Sequence, residues 1–270
     1  MDKQEFLSKY PKQEEKLLIA KVLDKLQFMQ AKNEVQTTQF LDGHEQNIVQ
    51  KLCKAFQVEN ASLEGGYEKA ERKVLLLYPD KLSTVFQNQK NKILNQQLAV
   101  ISITLPNELI GKYQHRNYLS AIIKLGMNRE KVGDILVREN GADILVKKEV
   151  ASYLQDDLRK LTRFQKAEIV IRPIAELQLV ENKKESICIL VPQLRVDCVI
   201  SELLHLSRSK TTEMIEQERI FVNYELKTKA SFLLKENDIL TIRGKGKYQI
   251  GKMVGESSKG KMRLEVEKYI

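Results

Sequence analysis

No run in this 270-residue sequence approaches the ~18 consecutive apolar residues that span a bilayer, and the first residues, Met1-Asp2-Lys3-Gln4-Glu5, carry no apolar signal core. A cytoplasmic protein without a membrane partner is expected. Cysteine is scarce. Cys53, Cys188 and Cys198 are odd in number, widely scattered and outside any Cys-x-x-Cys or Cys/His spacing, which argues against a zinc site and for reduced, structural thiols. A P-loop is absent, and no glycine-rich turn follows a predicted strand; Gly244-x-Gly246 precedes a lysine and a tyrosine, not a helix start. No pair of titratable side chains stands out for general acid–base work, because Asp134 alone has no partner at reach. Catalytic residues, a metal, a cofactor and a small-molecule substrate are therefore not expected.

Positive charge is what the sequence has in excess, with a net charge of +9 and a pI of about 9.2. Residues 1–75 hold twelve basic and twelve acidic side chains, residues 76–194 eighteen and thirteen, and residues 195–270 fifteen and eleven. Charge thus favours the middle and C-terminal parts as a polyanion-binding surface. The length exceeds the ~100 to 200 residues of one domain, so two or three domains are expected.

The C-terminal part is the most informative. Val196, Val199, Ile200, Leu203 and Leu204 recur at helical spacing, and a second helix should start at once, capped by Ser207, with Met214 and Ile215 facing inward. Arg208, Ser209, Lys210 and Thr211 crowd its first turn. A helix N-terminus already carries partial positive charge and free N–H groups, so basic residues there cost electrostatic energy unless an anion is bound, which suggests a phosphate seat. Ile220, Val222 and Asn223 lead into a turn at Tyr224-Glu225, and Ile239, Leu240 and Ile242 follow a polar break as a short strand. From Arg243 to Arg263 there are seven Lys or Arg against one acid, Glu256. Lysines set between glycines, as in Arg243-Gly244-Lys245-Gly246-Lys247, can reach phosphates past little side-chain bulk. Ser257 to Lys261 has no apolar residue and fits a loose basic tail; Leu264, Val266 and Ile270 then alternate like a final strand.

Leu194-Arg195-Val196-Asp197, Leu206-Ser207-Arg208-Ser209-Lys210, Ile220-Phe221-Val222-Asn223 and Asn237-Asp238-Ile239-Leu240-Thr241-Ile242-Arg243-Gly244 together resemble the RNA-binding module named after ribosomal protein S-four. The resemblance implies that the second helix and the adjoining loop face structured RNA. The candidate RNA contacts are Arg195, Ser207, Arg208, Ser209, Lys210, Thr211, Asn223, Arg243, Lys245 and Lys247. Taken singly, an arginine on a helix is a solvated face and Asn223 a turn residue; the cluster is what points to RNA. Where that family has glycines flanking its third element, this chain has Glu218 and Tyr224.

Nearer the N-terminus, Leu17, Leu18, Val22, Leu26 and Met29 predict one helix, and Ile48, Val49, Leu52 and Phe56 a second after Asp42-Gly43. Lys73 to Tyr78 reads as a strand. From Leu98 the expected order is strand 99–105, helix 113–125, strand 134–138, an Asn140-Gly141 hairpin turn, strand 143–147, helix 149–161 and strand 168–172. That is the βαββαβ order of ferredoxin-like and RRM-like domains. The aromatic pair that stacks bases in such RNA-recognition domains is missing, so no base stacking is assigned to this sheet. Glu181 to Ser186 reads as a linker.

Gly65-Gly66-Tyr67 with Ala70-Glu71-Arg72, then His115-Arg116-Asn117-Tyr118-Leu119, then Leu125-Gly126-Met127-Asn128-Arg129-Glu130-Lys131-Val132-Gly133-Asp134-Ile135, are similar to the YlmH family of bacterial proteins with an S-four-type domain. That similarity spans nearly the whole chain. It implies a ribosome-associated RNA-binding protein whose partners are ribosomal RNA and large ribosomal subunits carrying stalled peptidyl-tRNA. His115, Arg116, Arg129 and Lys131 are secondary RNA-contact candidates, against capping and salt-bridge roles.

The expected fold is α+β: a helical region over 1–75, a ferredoxin-like domain over 76–180, and an S-four-type domain with a basic tail over 181–270. The expected function is non-enzymatic docking on structured ribosomal RNA in ribosome-associated quality control. The alternatives are an RNA-modifying enzyme, either pseudouridine synthase or methyltransferase-like, and a protein-binding regulator tethered to RNA.

Overall fold

The computed structural model describes residues 2–179, 184–258 and 260–269. Two compact units, Met1–Val180 and Glu181–Ile270, divide the chain. Among the described residues, no helix is long and apolar enough to cross a membrane.

In the first unit, α1 (Lys3–Ser8) precedes α2 (Gln13–Lys32), the helix predicted from the Leu17 to Met29 spacing. After β1 (Gln36–Thr37), Asp42 and Glu45 form a reciprocal capping box that starts α3 (Gly43–Ala55). β2 (Ala61–Glu64) and β3 (Val74–Leu77) complete a three-stranded antiparallel sheet in the order β1-β3-β2, so the N-terminal region is not purely helical. β3 is buried on both faces. Leu75 and Leu77 join the core of α2 and α3, while Val74 and Leu76 point into a second core with Phe40, Phe86, Leu94 and Val100. The division expected at 75/76 falls inside this strand, and the shared core shows why the two sides form one unit.

α4 (Phe86–Gln97), absent from the sequence reading, leads into β4 (Leu98–Thr104), α5 (His115–Lys124), β5 (Val132–Arg138), β6 (Gly141–Lys147), α6 (Ala151–Lys160) and β7 (Glu168–Arg172). The strands form an antiparallel sheet in the order β5-β6-β4-β7, the ferredoxin-like arrangement. Ala99, Ile101, Ile103, Ile144 and Val146 face α5 and α6 across one core. Leu98, Val100 and Leu145 face the other way, against Phe40, Phe86 and Leu94. The face that would stack bases in an RNA-recognition domain is thus packed with apolar side chains here. The β5–β6 hairpin forms, but its turn is Glu139-Asn140; Gly141 already pairs with Arg138 and Thr104. A Cβ on Gly141 would lie 1.8 Å from the Ile103 carbonyl oxygen, so only glycine lets β4 and β6 close here.

In the second unit, β8 (Lys184–Val191) begins within the expected linker, whose residues 181–183 lie outside the described ones. α7 (Val196–Leu204) and α8 (Arg208–Glu216) follow, then β9 (Ile220–Val222), β10 (Glu225–Leu226), β11 (Ile239–Ile242), β12 (Gly246–Glu256) and β13 (Met262–Tyr269). One six-stranded sheet runs β10-β9-β11-β12-β13-β8. Val196, Val199, Ile200, Met214 and Ile215 of the helices pack on Ile220, Ile242, Ile250 and Val266 of its inner face. The expected basic tail is therefore the long β12–β13 hairpin, whose strands are joined by a bond of 2.8 Å from the Ser257 amide to the Lys261 carbonyl, Lys259 lying outside the described residues; β13 pairs with β8 along its length. Ile270 lies outside the described residues.

Candidate nucleic-acid interface

The two places without the family's glycines keep the backbone that glycine would take. Glu218 has φ 55° just past the end of α8, where its amide and that of Arg219 bond back to Ile215 and Met214, a left-handed helix stop. Asn223 and Tyr224 have φ 50° and 65°, which places the hairpin turn at Asn223-Tyr224, one residue earlier than the sequence suggested. Asn223 locks that turn: its Oδ1 accepts from the Ile239 amide at 2.9 Å and its Nδ2 donates to Asp238 at 2.8 Å. Its side chain is thus engaged within the fold.

Arg195 stands at the cap position of α7 and grips Asp197 with two bonds of 2.9 and 2.7 Å. Burial alone would raise the Asp197 carboxyl, but Arg195 and the Cys198 amide overcome it and hold the pKa below its usual value. Arg208 Nη2 lies 3.9 Å from Cys198 Sγ, so the starts of α7 and α8 meet at one corner. Ser207 caps α8, its Oγ accepting from the Lys210 amide at 3.4 Å and touching Ser209 Oγ at 3.0 Å. Thr211 is fully buried and donates to the Ser207 carbonyl, so it braces the helix and does not face a ligand. Arg208, Ser209 and Lys210 are exposed, α8 has no acid in its first turn, and Lys210 makes no ion pair among the described residues. This corner presents two exposed cations and a helix N-terminus to solvent, the equipment for holding phosphate.

The other C-terminal candidates sit elsewhere. Arg243 lies over the Phe221 ring at 4.6 Å, and its backbone exchanges bonds with Arg219, which gives 2.9 Å and 2.7 Å contacts just beyond the far end of α8. Lys245 is exposed at the β11–β12 turn, and Lys247 lies 5.4 Å from the Tyr224 ring and 4.9 Å from that of Tyr269. The basic residues that sequence order grouped together are thus split between the two ends of α8, roughly 13 Å of helix apart. Arg219 was missed; its signal was a basic residue directly after a helix stop.

The motif residues of the first unit converge on Asp134. Its carboxylate accepts from Tyr67 Oη at 2.8 Å, from the Glu71 amide at 2.7 Å and from the Arg72 amide at 3.0 Å. Arg72 reaches the carbonyls of Val132 and Phe40, and Arg129 those of Val132 and Gly133. Lys131 pairs with Glu149. Gly65 is needed because a Cβ there would lie 2.3 Å from that of Ala70. Burial, then the Arg72 charge, push Arg129 down to about 10, and burial, then Arg129, lower the His115 pKa although part of its ring stays open to solvent. Burial and Asp134 raise the Tyr67 phenol. His115 and Arg116 begin α5 as expected and are exposed. The arrangement is a clasp that fastens the Gly65–Arg72 loop to β5; Arg129 is engaged inside it, and Lys131 is paired outside it with the exposed Glu149.

The helix pair on a small sheet, with its exposed basic corner, is the architecture of an RNA-binding protein. The S4 domain model matches residues 194–240, the model described as "YlmH, N-terminal" residues 14–82, and "Putative RNA-binding domain in YlmH" residues 91–175. With these three domains in this order, the chain belongs to the YlmH family. It is 26% identical over 259 residues to "Ribosome-associated protein quality control protein P2" of Bacillus subtilis, covering 95% of this chain and 96% of that one. A solved structure titled "Cell division protein ylmH from Streptococcus pneumoniae" is 21% identical, with a TM-score of 0.48, covering 63% of this chain and 98% of its own.

Proposed function

We propose that this protein is a non-enzymatic adaptor of the cytoplasm that docks on structured ribosomal RNA through the corner where α7 and α8 begin. Its target in this reading is the large ribosomal subunit holding a stalled peptidyl-tRNA. The observation that carries the reading is the pair Arg208 and Lys210, exposed on a capped helix N-terminus without an acid in its first turn. Such a start is electrostatically costly for the isolated protein and favourable against a phosphate backbone. The name of the Bacillus subtilis relative supports the ribosome as the place where that RNA is met. Arg195 sets the corner, Ser207 and Ser209 add hydroxyl donors, and Arg243, Lys245 and Lys247 serve as a second row beyond the far end of α8.

The test is cosedimentation of the protein with small subunits, large subunits and large subunits holding peptidyl-tRNA, at two salt concentrations. Salt-sensitive binding to large subunits, strongest with peptidyl-tRNA, is expected, and Arg208→Ala with Lys210→Ala should lose it. Equal retention by wild type and variant would sink the corner as the docking site.

A further inference from the structure

The first unit contains a cavity of about 250 Å³ whose wall is almost entirely polar, formed where α2, β1, the end of α4 and the end of β6 meet. Lys147 lies at its inner side. Its residue is 6% exposed, and its ammonium donates to Thr37 Oγ1 at 2.5 Å and to the Thr38 carbonyl at 3.0 Å. Neither partner is charged. A buried ammonium without a carboxylate is costly, and burial pushes Lys147 down to about 8. Glu149, the one acid in the wall, is already paired with Lys131. Lys25 and Lys148 also line the cavity and make no ion pair among the described residues. The wall therefore holds three lysines, Lys25, Lys147 and Lys148, against one carboxylate that Lys131 already neutralises, leaving the site electropositive. A second observation is independent of the lysines: Gln39, another wall residue, holds Oε1 buried with no hydrogen-bond partner. An unanswered acceptor beside an excess of cations fits a ligand that brings both an anion and a donor.

We propose that this cavity binds a nucleotide unit, with its phosphate against Lys147, Lys25 and Lys148 and a sugar hydroxyl or base N–H answering Gln39. A free mononucleotide and a residue within an RNA chain share that chemistry. The site lies in the first unit and does not depend on the α8 corner.

The test uses the full chain carrying Arg208→Ala and Lys210→Ala, so that binding at that corner is suppressed. Three probes are titrated, namely inorganic phosphate, adenosine monophosphate and a short oligoribonucleotide, with binding read by calorimetry and the Lys147 ammonium followed by NMR. A nucleotide probe should raise the Lys147 pKa from about 8, because an adjacent anion favours the charged form. Lys147→Met should weaken that probe at least 10-fold, and Gln39→Leu should weaken it while sparing inorganic phosphate. Response to the mononucleotide identifies a free nucleotide as sufficient, and response to the oligonucleotide alone places the site on RNA. If no probe moves the Lys147 resonance at millimolar concentration, or if Gln39→Leu changes nothing, the proposal fails and Lys147 is an internal clamp on Thr37 and Thr38. The titration of the parent Arg208→Ala, Lys210→Ala chain and the added Gln39→Leu keep the test decisive even if Lys147→Met does not fold.

Discussion

The corner of α7 and α8 and the clasp around Asp134 draw on the same residue types for opposite ends. Around Asp134, Arg72 and Arg129 spend their guanidinium groups on backbone carbonyls, and the carboxylate accepts from three donors. At the corner Arg195 is answered by a carboxylate, while Arg208 and Lys210 are exposed at a helix start, Arg208 touching Cys198 Sγ and neither in an ion pair among the described residues. The difference teaches that a charged motif is read by its unsatisfied valence. The clasp converts polar groups into a rigid join, and the corner leaves them for a partner.

The largest effect should come from breaking the clasp. Asp134→Ala leaves two backbone amides and the Tyr67 hydroxyl without their acceptor, and a stability loss of about 3 kcal/mol is expected in denaturant titrations. RNA affinity per folded molecule should not change; a variant as stable as wild type would show that the join is not structural.

Breaking the corner should do the reverse. Arg208→Ala with Lys210→Ala is expected to weaken RNA binding by roughly 10- to 30-fold and to lower the salt slope by about two units, with stability unchanged within about 0.5 kcal/mol. An unaltered salt slope would mean that neither side chain meets phosphate.

A smaller effect tests the backbone beneath the corner. Glu218→Gly removes a side chain from a left-handed helix stop and should stabilise the protein by about 1 kcal/mol, read as a shift in the unfolding midpoint. Destabilisation would show that the Glu218 side chain contributes more than its backbone costs.

The smallest concerns the Arg195–Asp197 pair. Because the Asp197 pKa is lowered in the folded state, the pair's contribution is present above the unfolded carboxyl pKa, near 4, and is lost as pH falls through the folded value. The stability gap between wild type and Arg195→Ala should therefore be open at pH 7 and close in acid. A gap that persists once the Asp197 carboxyl is protonated in the folded protein would assign Arg195 a role in packing alone.

The helix pair, the Ser207 cap and the βαββαβ order were legible in the sequence because each rests on contacts between near neighbours, whether apolar spacing, a cap or a turn. α4 was not legible, since Phe86, Ile93 and Leu94 are set among Gln, Asn and Lys that show no strong stripe. β12 was not legible as a strand, because its Lys and Gly show no apolar alternation until β11 and β13 supply the ladder partners on either side. Thr211 was taken for a contact because its place in the first turn was evident and the direction of its side chain was not.

By itself the sequence determined the elements, the excess of positive charge and the basic first turn of α8, because local periodicity and capping chemistry operate within a few residues. Only the tertiary structure decided which charges stay open. Asp134 meets Tyr67 and Arg72 across more than sixty residues of chain, and Lys147 meets Thr37 across 110. Whether a side chain is a brace or a contact depends on partners that long-range packing alone brings within hydrogen-bond distance.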